Sequence, residues 1–385
     1  MIKSDFLPGT KFSASIKRNE PLASRTTLGV GGPAAYYFET DNEDEVVEIL
    51  SQACEYKLPV LVLGGGSNLV VADSGWPGLV LRYTRHEVTI KNNGGKVLVE
   101  ASAGLNWDDF VAATIDRGLG GVECLSGVPG LVGAAPVQNI GCYGQEVSET
   151  ITMVEAIDMQ NGTLRQFSKK ECGFEYRQSR FKTDDGYLIT KVTFDLHHTN
   201  NGTVRYDEIA RALNEQNIDK PALGDVRRAV LNIRHRKSMI IDSVDPNSRS
   251  VGSFFINPIV AGDRADEVER AASGLSSPRA MPRWPMAGGL VKLSAAWLIE
   301  SSGFQRGYVL GRAGISANHI LAIINRGGAT AAEVIALAGQ IRRHVRDIFG
   351  IALEPEPVFV GFEKSAAELL DGKLHFKDNA VSDKK

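Results

Sequence analysis

Apolar positions along the chain switch between a period of two and one near three and a half, and the switches divide it into units. Residues 1–25 are polar and predict irregular backbone. Ala34–Glu39 reads as a strand. Asp41 then stands where a helix cap belongs, ahead of Val46, Leu50 and Ala53 on one helical side. Val60–Leu63 predicts another strand, and this small αβ unit ends near Ala72. Hairpins follow. Val88–Lys91 and Val97–Ala101 flank Asn92-Asn93-Gly94-Gly95, and Met153–Met159 and Leu164–Phe167 flank Asn161-Gly162. Between them Asn106 caps a helix that turns Trp107, Phe110, Val111 and Ile115 inward and stops at Gly118. Strand Leu188–Leu196 closes this second unit.

From about Tyr206 the pattern becomes helical, with Asp207–Leu213 and then a basic helix, Val226–Lys237. Asp245-Pro246-Asn247 predicts a turn, and Leu293–Ser302 a helix ended by Gly303. The longest helix opens on the capping box Thr330-Ala331-Ala332-Glu333. It buries Val334, Leu337, Ala338, Ile341, Val345 and Ile348 and stops at Gly350. Residues from Lys364 read as a loosely attached tail.

One stretch fits neither period. Residues 126–144 set Gly127, Gly130, Gly133, Gly141 and Gly144 among small apolar residues with almost no charge. Such a segment cannot cover a core with its own side chains, but its amides can approach something flat or anionic. It is either a tight buried crossover or a cradle for a cofactor. A second run of the kind, Gly64-Gly65-Gly66-Ser67-Asn68 after an apolar strand, favours the cradle. The common nucleotide motifs are absent: no Gly-Lys-Ser/Thr ends the run, and Leu69 stands where a Rossmann fingerprint needs its third glycine. The pair points to a less common dinucleotide fold.

Charge and composition narrow the class further. The 385 residues suit roughly two or three domains. A net charge of −3 leaves no basic footprint for nucleic acid or an anionic membrane, and no apolar run is long enough to span a bilayer. Cys54, Cys124, Cys142 and Cys172 lack CxxC spacing, which predicts reduced thiols and a cytoplasmic protein. The histidines show no metal-ligand spacing, so no metal site is expected. Three segments carry polar residues that periodicity leaves unexplained: Tyr176–Lys182, Gly252–Pro258 and Leu353–Pro357. Singly, each has a structural account. Ser253 fits a tight strand crossing, Arg177 a structural ion pair, and Glu356 a cap or a surface pair.

Taken in order, these segments resemble the UDP-N-acetylenolpyruvoylglucosamine reductase family of flavin enzymes. The matching stretches are Leu63–Asn68, Ser126–Gly130 through Gln138–Gly144, Tyr176–Lys182, Gly252–Pro258, Val291–Glu300 and Leu353–Glu356. The resemblance implies an α+β chain: a two-lobed FAD-binding domain of the PCMH/vanillyl-alcohol-oxidase type plus a C-terminal αβ substrate-binding domain. The expected boundaries are residues 1–72 for the first lobe (joined by a strand from 351–363), 73–225 for the second, 226–350 for the substrate domain and 364–385 for the tail. FAD is the implied cofactor and NADPH the co-substrate, with small-molecule substrates, no nucleic acid, no membrane insertion and a monomer.

In the implied reaction NADPH reduces FAD, and the enolpyruvyl ether of UDP-N-acetylglucosamine takes a hydride from flavin N5, giving UDP-N-acetylmuramate for peptidoglycan. Ser253 matches the family's general acid, and Arg177 and Glu356 match the groups that stabilise the enolate-like intermediate. Tyr206, Lys237, Asn257 and Lys292 match groups that hold the diphosphate and substrate. Gly64, Gly65, Gly66, Ser67, Asn68, Ser126, Gly127, Pro129, Gly130, Gly133, Asn139, Gly141 and Tyr143 are the expected cofactor contacts. Glu356 suits its role only if protonated or paired with a cation, since a bare carboxylate opposes the building charge. One departure stands out. The family often reads Glu-Pro-Glu-Val-Arg, whereas Pro357 and Val358 follow here, so a cation near that strand is dispensable or supplied elsewhere. Two other readings are an oxidase or dehydrogenase of the same flavin fold acting on an alcohol or sugar, and a catalytically silent nucleotide-sugar binder.

Overall fold

Residues 17–21 are the first departure from the pattern. The structure is a computed structural model that describes residues 12, 14–93, 96–275 and 280–372. In it Lys17–Pro21 forms strand β1, antiparallel to β2 (Pro33–Thr40). Its side chains are polar and mostly exposed, so only the backbone ladder makes it a strand. Helix α1 (Glu43–Glu55) follows, with Val46, Ile49, Leu50 and Ala53 buried. Asn42, and not Asp41, is its cap: the Asn42 side chain accepts from the amides of Asp44 and Glu45, which Asp41 stands one residue too far back to do.

Three strands complete the first lobe: β3 (Val60–Val62), β4 (Leu69–Val71) and β5 (Trp76–Tyr83). The sheet order is β1-β2-β5-β3, with β5 parallel to both β2 and β3. The lobe therefore runs to Tyr83, and the boundary expected at 72 falls short of its central strand. Parallel partners are joined by long connections, which a local pattern does not reveal. β4 pairs instead with the distant strand Val358–Val360, also in parallel.

The second lobe is a six-stranded sheet: five strands run in the order Leu164–Ser168, Ile151–Asp158, Tyr187–His198, β7 (Lys96–Ser102), β6 (Val88–Asn93), and the sixth, Leu119–Gly120, pairs with the end of Tyr187–His198. Tyr187–His198 lies inside this order, between two long partners, and does not close the sheet. Gly94 and Gly95, at the predicted first hairpin turn, lie outside the described residues. Helix α2 (Trp107–Ile115) covers the sheet, with Asn106 accepting from the amides of Asp108 and Asp109. Trp107, Phe110 and Phe194 pack ring against ring, the Phe110–Phe194 centroids 4.6 Å apart. One apolar core runs through both lobes, from Phe38 and Val46 to Val99 and Phe194.

The basic helix, Leu223–Arg236, does not open the third unit. It packs with Asp207–Asn214 over the 123–125 turn through Cys124, Ile209, Leu213, Val226, Val230 and Ile233, so the boundary at 226 moves C-terminal. A separate core spans Val251 to Leu370 and takes in Leu28, Val30 and Val70 from the first lobe. Its spine is the helix Ala331–Phe349, with the Thr330/Glu333 capping box and Gly350 left-handed at φ 64°. Asp73 adds a second cap from the first lobe, accepting from the amides of Ala331 and Ala332 at 2.8 and 3.1 Å. Ile348 is 39 % exposed, and Phe349 takes the buried position. The tail is not loose at its start. Ala366–Asp371 is a helix that buries Leu370, and Arg343 donates to the Leu370 carbonyl at 2.9 Å. One short turn is too brief to show a period; residues 373–385 lie outside the described residues.

Candidate active site

The two glycine runs meet at close quarters. A Cβ on Gly65 would lie 2.8 Å from Gly130 Cα, and one on Gly66 2.1 Å from the Arg25 carbonyl oxygen, so side chains are excluded there. Ser67 Oγ donates to the Pro129 carbonyl at 3.1 Å and locks the runs together. The backbone amides from Gly64 to Asn68 donate to no acceptor among the described residues. That row of free donors is what a pyrophosphate needs. Beside it lies a mainly apolar cavity of about 570 Å³, lined by Val60–Leu69 of the first lobe, Val128–Leu131 and Arg177 of the second, and Val251–Ser253 of the third. Its size suits an organic cofactor, whose pockets run to ~300–1,000 Å³.

Arg177 reaches this cavity from a tight turn. Glu175 and Gln178 exchange backbone hydrogen bonds of 3.0 and 3.2 Å, and Arg177 between them is left-handed at φ 55°. Glycine is the usual occupant of such a position, and another residue costs about 1–2 kcal/mol. Ser179, buried and donating to the Val137 carbonyl at 2.6 Å, anchors the turn to the glycine stretch. Ser253 and Glu356 are brought together by backbone pairing of their segments. Phe255 bridges Pro355, Ile256 N donates to the Glu354 carbonyl, and Glu356 N to the Phe254 carbonyl at 2.9 Å. Phe254 and Phe255, fully buried, hold that segment in place.

All three side chains line the one cavity. Arg177 Nε lies 3.2 Å from Glu356 Oε1, and Arg177 Nη2 donates to the Gly141 carbonyl at 2.5 Å. Burial lifts Glu356 above the usual carboxylate range, and Arg177 and Lys182 only partly oppose that. Ser253 Oγ has no hydrogen-bond partner among the described residues, so its hydroxyl is available to a guest. This cluster can meet a carboxylate with a guanidinium and offer a hydroxyl alongside.

Of the expected cofactor contacts, Gly64, Gly65, Gly66, Ser67, Asn68, Pro129, Gly130, Gly133 and Gly141 line the cavity. Ser126, Gly127, Asn139 and Tyr143 are not in that lining, and each has a partner of its own. Ser126 Oγ donates to the Glu123 carbonyl, and Gly127 N to Asp108. Asn139 donates to Glu146 and the Glu175 carbonyl, while Tyr143 packs on Tyr206 with centroids 5.6 Å apart. The expected substrate contacts also lie outside the cavity lining, in two groups. Lys237, bonded to Glu208 at 2.6 Å, stands with Tyr206 beside Tyr143. Lys292 lies over the Tyr176 and Trp284 rings, and Asn257 Oδ1 accepts from the Ala295 amide.

Gln138, Lys182, Asp185 and Arg234 also line the cavity; Gln138 and Lys182 lie in stretches singled out in the sequence without a role given to them, and Asp185 and Arg234 drew no functional reading. Gln138 bridges Asn68 Nδ2 (2.5 Å) and Glu356 Oε1 (3.5 Å), and Arg234 donates to the Gly127 and Met239 carbonyls.

Two lobes that share a core and open a glycine-lined slot define an FAD-binding fold, and residues 34–168 match the FAD binding domain family model. The free loop amides and side-chain-free cradle fit that dinucleotide. Residues 245–360 match the model of the UDP-N-acetylenolpyruvoylglucosamine reductase C-terminal domain. The reductase of that name from Thermobifida fusca (strain YX) is 46 % identical over 352 residues, which cover 91 % of this chain and 99 % of that protein. The one from Saccharopolyspora erythraea is 42 % identical over 357 residues, 91 % of this chain and 98 % of that one. The crystal structure of UDP-N-acetylenolpyruvylglucosamine reductase (MurB) from Thermus caldophilus superposes with a TM-score of 0.59 at 25 % identity, covering 90 % and 98 % of the two chains. The chain belongs to the UDP-N-acetylenolpyruvoylglucosamine reductase family. No helix among the described residues is long and apolar enough to cross a membrane.

Proposed function

We propose that the protein catalyses the FAD-dependent, NADPH-driven reduction of UDP-N-acetylglucosamine enolpyruvate to UDP-N-acetylmuramate, for peptidoglycan synthesis in the cytoplasm. The observation that carries this reading is the meeting of Ser253, Arg177 and Glu356 on a cavity whose glycine loops suit FAD. When bound, FAD accepts a hydride from NADPH and supplies one to the methylene carbon of the enolpyruvyl group. Arg177 presents a planar fork to the substrate carboxylate as charge builds on it, a contact typically worth about 3 kcal/mol in the transition state. Ser253 gives its proton to the neighbouring carbon; a hydroxyl this weakly acidic can do so only to a strongly basic carbon within hydrogen-bond reach. Glu356, raised by burial and bonded to Arg177, meets the requirement that it not oppose that charge.

Tyr206, Lys237, Asn257 and Lys292 are assigned to the diphosphate and substrate, on the surfaces flanking the cavity. The first two lobes serve the cofactor and the C-terminal domain the sugar nucleotide. Anaerobic stopped-flow tests the whole reading. NADPH should bleach the flavin, and only the enolpyruvyl sugar nucleotide should restore its colour. Recolouring by an alcohol or sugar product pair would point to an oxidase instead, and colourless purified protein to a silent binder.

A further inference from the structure

We propose that Lys182 is a positioning residue: its ammonium holds the left-handed backbone of Arg177 and so keeps the guanidinium between Glu356 and the Gly141 carbonyl. The inference rests on the reading that Arg177 and Glu356 work on the substrate carboxylate. Lys182 Nζ donates to the Arg177 carbonyl at 3.1 Å, across a turn already fixed by buried Ser179 and by Phe181 packed on Phe167. No other described side chain donates to that carbonyl, so this bond holds the Arg177–Gln178 peptide plane in a turn whose φ of 55° is closed by the Glu175–Gln178 backbone pair. Without it, the peptide plane after Arg177 is freer to rotate within the closed turn, and a small rotation at the base of a long side chain displaces the guanidinium from its contact to Glu356.

The ammonium is kept at a cost. Burial lowers the Lys182 pKa and Arg177 repels it, while Glu356 and Glu354 pull the other way. A residue retained only to fill space would be neutral in such a place. The charged and titratable groups around the pair are Arg177, Lys182, Glu354, Tyr176 and, 3.8 Å from Arg177 Nη1, Glu146. Of these, Arg177 and Lys182 favour ionised Glu356. Removing Lys182 therefore raises the Glu356 pKa further, and the limb of the pH profile that Glu356 sets moves to higher pH.

The test uses the flavin-loaded full chain with Lys182→Met and Lys182→Arg, each half-reaction followed separately across pH. Lys182→Met should slow reoxidation by the enolpyruvyl sugar nucleotide by ~10- to 100-fold, with a smaller loss in bleaching by NADPH, and move the reoxidation limb upward. Lys182→Arg should recover most of the rate and return the limb. Wild-type reoxidation in Lys182→Met, or equal slowing of both halves with an unmoved limb, overturns the proposal. If Lys182→Met holds no flavin, Lys182→Arg and Lys182→Gln decide it: the limb must rise in the glutamine variant alone. Failure of the underlying reading looks different, since Arg177→Lys and Glu356→Gln would then reoxidise at the wild-type rate.

Discussion

Asp108 and Glu356 are both carboxylates that meet an arginine from a distant part of the chain, and their surroundings set them apart. Asp108 takes both arms of Arg227 at 2.6 and 2.8 Å, together with the Gly127 amide at 2.6 Å. Burial would raise its pKa, yet those donors outweigh it and hold Asp108 below the usual range. Glu356 receives one guanidinium nitrogen at 3.2 Å and an amide at 3.5 Å, and burial wins. The first pair is saturated and fastens α2 to the basic helix. The second is under-supplied and opens on a cavity, where a ligand can complete it. Fewer donors and deeper burial together separate the candidate working pair from the structural one.

The largest expected effect lies on the cavity side. Ser253→Ala should leave bleaching by NADPH in place and slow reoxidation by roughly 10²- to 10⁴-fold; equal loss in both halves would remove Ser253 from proton delivery. Glu356→Gln comes next, at ~10²-fold in reoxidation, whereas Asp108→Asn should change that rate by less than about threefold. Matching losses in the two variants would erase the contrast drawn here.

Stability should show the reverse order. Asp108→Asn should cost about 2 kcal/mol in urea unfolding at neutral pH, because Arg227 loses a charged partner. The Asp108 pKa is depressed in the folded state, so its contribution is complete above the ordinary carboxylate value and is lost as pH falls through the depressed one. The gap between wild type and Asp108→Asn should accordingly close in acid; a gap that stays constant would show that the charge is not the source. Smallest is Asp73→Ala, about 1 kcal/mol from the cap it gives the long helix, with both half-reactions unaffected.

Local chemistry was legible in the chain itself. Asn106, the Thr330/Glu333 box and Gly350 end their helices as their residue types dictate, because caps act within a single turn. The glycine runs announced a cradle, since only glycine tolerates the contacts at Gly65 and Gly66. Family membership was legible too, from motif order along the chain. Long-range pairing was not. β5 enters the middle of the first sheet and Leu370 is buried against the long helix, whereas the return of a strand from 351–363 to the first lobe was implied by the family resemblance and not by any local pattern. Tertiary structure alone decided that Gln138, Lys182 and Arg234 line the cavity while Ser126, Asn139 and Tyr143 are not part of its lining. The shared role of Arg177 and Glu356 was implied by the resemblance, and the tertiary structure supplied their direct contact. A cap or a turn is settled by neighbours a few bonds away, whereas a site is settled by backbone registers between segments that the linear pattern does not connect.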